Sequence, residues 1–156
     1  MPLAYRIIGY TALSLLLIAC EGPVGVMPGG ALSGTVETPP AVWQLEKDAD
    51  LAQLETRPAD PYSINLVYVQ LDGRLYIYAG NTRTNWVAHI EADPRMRIRI
   101  NDTIYPMRAA RVTDQDKIRQ FAAVWASRSM FQRDPMQFDE VWLYRLAPRL
   151  EGASTP

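Results

Sequence analysis

The dipeptide Asp72-Gly73 stands between two runs rich in Val, Ile and Tyr, Ser63–Gln70 and Leu75–Ala79, and it fixes the middle of the chain as a β-hairpin. A two-residue Asp-Gly connection takes positive φ at low cost, so the flanking strands close antiparallel in one register. An isolated hairpin is marginal in water, and the remaining segments must extend or cover this sheet. Met96, Ile98 and Ile100 alternate with Arg95, Arg97 and Arg99, the period of two that marks a half-buried strand; its arginines are expected on a solvated outer face with acidic neighbours supplying partial pairing, the alternative being a groove that draws in an anionic ligand. Asn101-Asp102 turns this strand into Thr103–Val112, a second hairpin. The triplet Asn101-Asp102-Thr103 has the form of a glycosylation sequon but reads here only as a turn. Val141–Leu146, ahead of Pro148, reads as a closing strand.

Helical spacing fills the gaps. Asn85–Ala92 carries Trp86, Ile90 and His89 on one side, with Pro94 beyond its end. Thr113 and Asp116 resemble a capping box, and Ile118, Phe121, Ala122 and Trp125 follow at i, i+3, i+4 and i+7, so Phe121 and Trp125 are expected to be the buried heart of a second helix. Ala41 to about Glu55 mixes helix formers with apolar positions Trp43, Leu45, Ala49, Leu51 and Leu54. It predicts a short helix, with Leu51–Arg57 turning into a first strand. The order is α+β, and a small antiparallel barrel flanked by helices satisfies it.

The amino terminus predicts an address. Arg6 precedes an uncharged run, Ile7–Ala19, too short to span a bilayer and of signal-peptide length, and Leu17-Ile18-Ala19-Cys20 resembles a bacterial lipoprotein lipobox. Residues 1–19 are then a signal peptide and Cys20, the single cysteine, is the acylated residue that joins the protein to membrane lipid. By resemblance to known sorting behaviour, Glu21 favours the periplasmic face of an outer membrane. Removing the leader takes away one of 16 basic side chains, Arg6, and leaves 15 against 17 acidic ones, a balance that points to no nucleic-acid partner. Residues 20–40, rich in Gly, Pro, Val, Thr and Ser, are expected to be a flexible tether. A single domain follows over residues 41–149, and a disordered tail over 150–156.

The run Gly73–Thr84 (GRLYIYAGNTRT), continued by Trp86–Pro94 (WVAHIEADP) and the Arg95–Ile100 strand, resembles the FMN-binding split-barrel superfamily. That group includes pyridoxamine-phosphate oxidases and deazaflavin-dependent reductases, and the similarity is greatest to a bacterial branch of unknown function. It covers about Leu51–Arg149, including the opening Glu55-Thr56-Arg57. The resemblance implies a split β-barrel, pairing into a homodimer, and a phosphate-holding loop at Thr82, Arg83 and Thr84, where hydroxyl donors and a permanent cation suit a small anionic ligand. It implies FMN or deazaflavin as the cofactor, if one binds. Where cofactor-binding relatives carry a basic pair, however, this chain has Leu66-Val67-Tyr68-Val69, and the basic turn of the deazaflavin enzymes is reduced to Arg57.

No catalytic residue is assigned by the sequence. Trp86 either packs its helix onto the barrel or stacks on a cofactor ring. His89 is the one histidine and by itself makes neither a metal site nor a triad. Tyr62, Tyr68, Tyr76, Tyr78 and Tyr105 are numerous enough to line a pocket, and Asp134, Asp139 and Glu140 show no paired-carboxylate pattern. The expectation is thus a membrane-anchored lipoprotein whose barrel is non-enzymatic or binds a small ligand, with no cofactor. The alternative is a flavin- or deazaflavin-dependent oxidoreductase.

Overall fold

The computed structural model describes residues 22–127 and 134–149. The expected leader, Cys20 and the tail 150–156 lie outside the described residues. The elements are β1 (Thr35–Val36), β2 (Ala49–Thr56), β3 (Tyr62–Leu71), β4 (Arg74–Tyr78), α1 (Asn85–Ala92), β5 (Arg95–Ile100), β6 (Thr103–Arg111), α2 (Gln115–Ala126) and β7 (Leu143–Pro148). A 3-10 turn, Pro135–Gln137, precedes β7. Six strands pair antiparallel in the ring β6-β5-β2-β3-β4-β7, which closes through β7 on β6. β1 adds to β6 in parallel, Thr35 opposite Thr103, along the part of that edge beyond the reach of β7. The result is an α+β antiparallel split barrel with two helices.

The turns follow from their residues. Asp72 and Gly73 have φ of 51° and 66°, the two positive angles of a type I′ hairpin. A Cβ on Gly73 would also lie 2.6 Å from Val42 Cγ1, so glycine is demanded there by both backbone and space. Inside the ring, Leu54, Leu75, Ile77, Met96, Ile98, Met107 and Leu146 form a continuous core. α1 closes one end with Trp86, Val87 and Ile90. Trp43 packs near the Asp72-Gly73 turn, its amide donating to the Gly73 carbonyl and its ring meeting Tyr105 edge-on at 4.9 Å. α2 lies outside the ring, where Ile118 and Phe121 form a second apolar cluster with Val69, Tyr76 and Leu143.

Several expectations change. There is no helix over 41–48, and the strand expected from Leu51 already begins at Ala49 as β2, an interior strand bonded to both β3 and β5. Held extended by partners along both edges, β2 keeps strand geometry, and pairing overrides the helix propensity of Ala, Gln, Leu and Glu. The stretch expected as a tether lies against the barrel from Gly22 onward: Gly29 exchanges backbone bonds with Ser63, and Leu32 is buried. Asp114, rather than Thr113, caps α2, accepting from the Lys117 amide at 2.8 Å, because it is the residue directly before the first helical position. Phe121 is fully buried as expected, whereas Trp125, one turn nearer the helix end, is only partly covered. Among the described residues no helix is long and apolar enough to cross a membrane.

Candidate functional site

β2, β4 and β6 point the same way, since each is antiparallel to its ring neighbours, so the loops that follow them, 57–61, 79–84 and 112–114, gather at the end of the barrel covered by α1. Their polar groups define the candidate site.

The 79–84 loop delivers Thr82 and Arg83 into solvent and ends at Thr84, the residue preceding the first turn of α1. Thr84 does not cap the helix with its side chain, no acidic residue stands in the first turn, and the Thr84 hydroxyl is buried without a hydrogen-bond partner. An uncapped helix start beside a hydroxyl and an exposed guanidinium is a place where an anionic oxygen finds donors. Arg83 makes no ion pair among the described residues. Trp86 is 6% exposed and packs edge-on to Tyr144 at 5.9 Å, so its ring meets core side chains.

The 57–61 loop carries a strained arginine. Arg57 has φ of 56°, a left-handed conformation that a long side chain seldom adopts. It is held there by its ion pair with Asp60 at 2.9 Å, its Nε donating to the Asp60 carbonyl and its own carbonyl accepting from the Asp60 amide. Its guanidinium sits 5.8 Å from the Tyr62 ring centre. Tyr62 in turn meets His89 edge-on at 4.9 Å. The Thr56 hydroxyl donates to the Tyr62 carbonyl at 3.3 Å and lies 3.0 Å from His89 Nδ1, within hydrogen-bond distance. A cleft of about 300 Å³ runs beside this loop, with Pro58, Pro61 and Met96 as its apolar wall and Glu55, Arg97 and Arg149 as its charged one.

Withdrawal from water is the main cause that lowers the His89 pKa from 6.5; the Arg57 charge adds to it and Asp60 opposes it. The sign follows from linkage. The unfolded state takes up the proton first as the pH falls below 6.5, so His89 costs the fold stability over the interval down to its own lower pKa. The melting temperature of His89→Gln should therefore fall less than that of the unmodified protein between about pH 7.5 and pH 5. Equal acid sensitivity of the two would refute the burial argument.

Around the third loop, Arg111 lies over Trp142 with 3.7 Å to the ring centre and donates to the Val141 carbonyl, leaving its Nε buried and unbonded. Tyr144 donates to Glu91 at 2.6 Å, tying β7 to α1; burial first, then this bond, raises its pKa. Tyr78 has a buried hydroxyl with no partner, its pKa pushed up to about 12 by burial and, secondarily, by Asp134.

The structure thus brings Thr82, Arg83 and Thr84 to one helix start and puts Trp86 beneath them in the core. The tyrosines do not share a pocket: Tyr68 is in the barrel core, Tyr76 and Tyr78 face α2, and Tyr105 meets Trp43. The arginines of β5 meet acidic neighbours, Arg95 with Asp93, Arg97 with Glu55 and Arg99 with Asp102. Sequence reasoning missed the Thr56–His89 and Glu91–Tyr144 pairs, which join residues 33 and 53 positions apart. Only the tertiary fold brings them together.

Comparison with known proteins bears on what such a site serves. The sequence model of the family described as F420H(2)-dependent quinone reductase matches residues 43–140, more than half of the chain. No curated protein matches. Among solved structures, a putative pyridoxamine 5′-phosphate oxidase from Listeria innocua is 11% identical, with 64% of this chain and 84% of that one covered and a TM-score of 0.49. An FAD-binding protein from Mesorhizobium loti is 14% identical over 64% and 79% of the two chains, TM-score 0.47. A NimC/NimA family protein from Clostridium acetobutylicum is 14% identical over 62% and 70%, TM-score 0.46. The family match overturns the expectation of a non-enzymatic barrel, which rested on the missing basic pair at Leu66–Val69. From residues 43–140, the chain belongs to the F420H(2)-dependent quinone reductase family.

Proposed function

We propose that this protein is a deazaflavin-dependent oxidoreductase that reduces a quinone. The observation that carries the reading is the orphaned Thr84 hydroxyl at the uncapped start of α1, with Arg83 and Thr82 beside it, in a chain of this family. A cofactor phosphate would satisfy the buried hydroxyl, the first-turn amides and the guanidinium together. The fit is to a phosphate end, and the missing basic pair leaves Arg83 as its principal cation. Bound deazaflavin supplies the hydride. The protein's own part is to hold, orient and exclude water: Arg83 and Thr84 fix the anionic end, Pro58, Pro61 and Met96 offer an apolar wall, and the Arg57–Asp60 pair keeps the intervening loop in one shape.

Titrating the protein with oxidised F420 and following cofactor fluorescence tests the reading. Loss of one charge-assisted contact of about 1.5–3 kcal/mol should weaken binding roughly 10- to 100-fold in Arg83→Ala. Thr84→Val should weaken it less. Absence of F420 binding, or binding indifferent to Arg83→Ala, would exclude this site.

We further propose that Cys20 is acylated and holds the barrel at a membrane. The uncharged run Ile7–Ala19, closed by Leu17-Ile18-Ala19-Cys20, supports this.

A further inference from the structure

Residues 22–36 contain no charged side chain, in a chain with 33 charged residues elsewhere, and they begin on the barrel with a tight apolar turn. Val24 and Met27 exchange backbone bonds at 3.2 and 2.9 Å across Gly25, whose φ of 58° closes the turn. Asn65 clamps it from β3, donating to the carbonyls of Gly25 at 2.9 Å and Pro23 at 3.4 Å. Two residues further on, Gly29 and Ser63 bond each other in both directions. The turn is pinned, yet its side chains face water: Val24 is 52% exposed, Met27 63% and Val26 fully so.

Three apolar side chains on a rigid, uncharged projection are unfavourable in water and gain by entering an apolar phase. The position of the turn says which phase. Val26 is six residues from Cys20, so even fully extended chain keeps the two within about 20 Å. Charge attraction is not the driving term, because the arginines nearest on β5 are each paired with a carboxylate.

We infer that the Val24–Met27 turn inserts into the interface of a lipid bilayer, so that β2 and β3 face the membrane and β6 and β7 face away. The inference rests on the anchor proposed at Cys20. It gives that anchor a consequence: a barrel held in one orientation, with its α1 end at a fixed height, rather than one swinging on a tether.

The test uses the full chain reconstituted in phosphatidylcholine vesicles. An environment-sensitive fluorophore is placed at Val26→Cys, and separately at Ala110→Cys on β6, across the ring from β3. Nitroxide-labelled lipid should quench the probe at 26 and leave that at 110 bright, and vesicles with added phosphatidylglycerol should give the same result. Intact mass reports acylation of Cys20 independently. An acylated chain whose probe at 26 stays unquenched overturns the insertion and leaves the anchor standing. An unacylated chain overturns the anchor, and the insertion then holds only if position 26 is still quenched on sedimented vesicles. Self-quenching at 26 without lipid would assign the turn to a second copy and overturn the inference as well.

Discussion

Arg97→Ala should destabilise the barrel by about 3–5 kcal/mol, more than any other polar substitution at the described residues, because it strips the partner from a buried carboxylate. Glu55 and Arg97 lie directly opposite each other on β2 and β5. The Glu55 side chain is 5% exposed; it accepts from Arg97 Nε at 2.7 Å and Nη2 at 2.6 Å, and from the Leu32 amide at 2.6 Å. Removing the guanidinium leaves a carboxylate that is 5% exposed and answered by one amide. Urea denaturation measures the loss, and a shift under about 0.5 kcal/mol, as at a surface site, would show that the pair is not buried in solution. The double variant Glu55→Leu/Arg97→Met should recover most of the stability, since exchanging a whole buried ion pair for apolar groups is often neutral. That recovery separates an orphaned charge from a lost packing contact.

The same pair shows where sequence reasoning stops. Arg95, Arg97 and Arg99 are placed on one strand face by the alternation Arg-Met-Arg-Ile-Arg-Ile, and the structure keeps them there. What covers that face is a segment 65 residues away, where the Arg97 guanidinium reaches the Leu32 carbonyl, and no local pattern reports it. Segments whose conformation is set by their own residues were legible. These are the hairpin around Asp72-Gly73, the strand from Arg95 and the helix Asn85–Ala92 with its buried Trp86 and Ile90. Segments whose conformation is set by partners were not, as with β2, whose helix formers are overruled by strands on both sides, and with residues 22–36, whose Gly and Pro content suggests a linker until Ser63, Asn65 and Glu55 bind its backbone.

The candidate site divides in the same manner. Thr82, Arg83 and Thr84 could be picked out because a hydroxyl–cation–hydroxyl run before a helix has a chemical meaning on its own. That Thr84 leaves its hydroxyl buried and unbonded, and that Arg57 adopts positive φ, are facts of the folded backbone. The functional expectation failed for a related reason. The absence of a basic pair at Leu66–Val69 removes half of a phosphate clamp, yet three loops meet at that end and strand residues are one contribution to it.

Phe121→Ala should cost about 3–5 kcal/mol in chemical denaturation, and Trp125→Ala clearly less, although one turn of the same helix separates them. Phe121 is fully buried and anchors α2 to the outside of the barrel, its ring 6.4 Å from Tyr76 and 5.4 Å from Tyr78. Truncating it opens a cavity between α2 and the sheet that these rings, fixed on β4, cannot collapse to fill. Trp125 stacks on Phe121 at 5.7 Å and meets Tyr78 at 5.2 Å, but part of its surface faces solvent, so less apolar area returns to water and water itself fills the space. The second cluster joins α2 to Tyr76 on β4 and Leu143 on β7, so its loss should loosen both strands and with them the 79–84 loop that follows β4. F420 affinity measured on Phe121→Ala should therefore fall together with stability, and on Trp125→Ala change little. If Trp125→Ala proves the more damaging, α2 is held by its exposed end rather than by its middle.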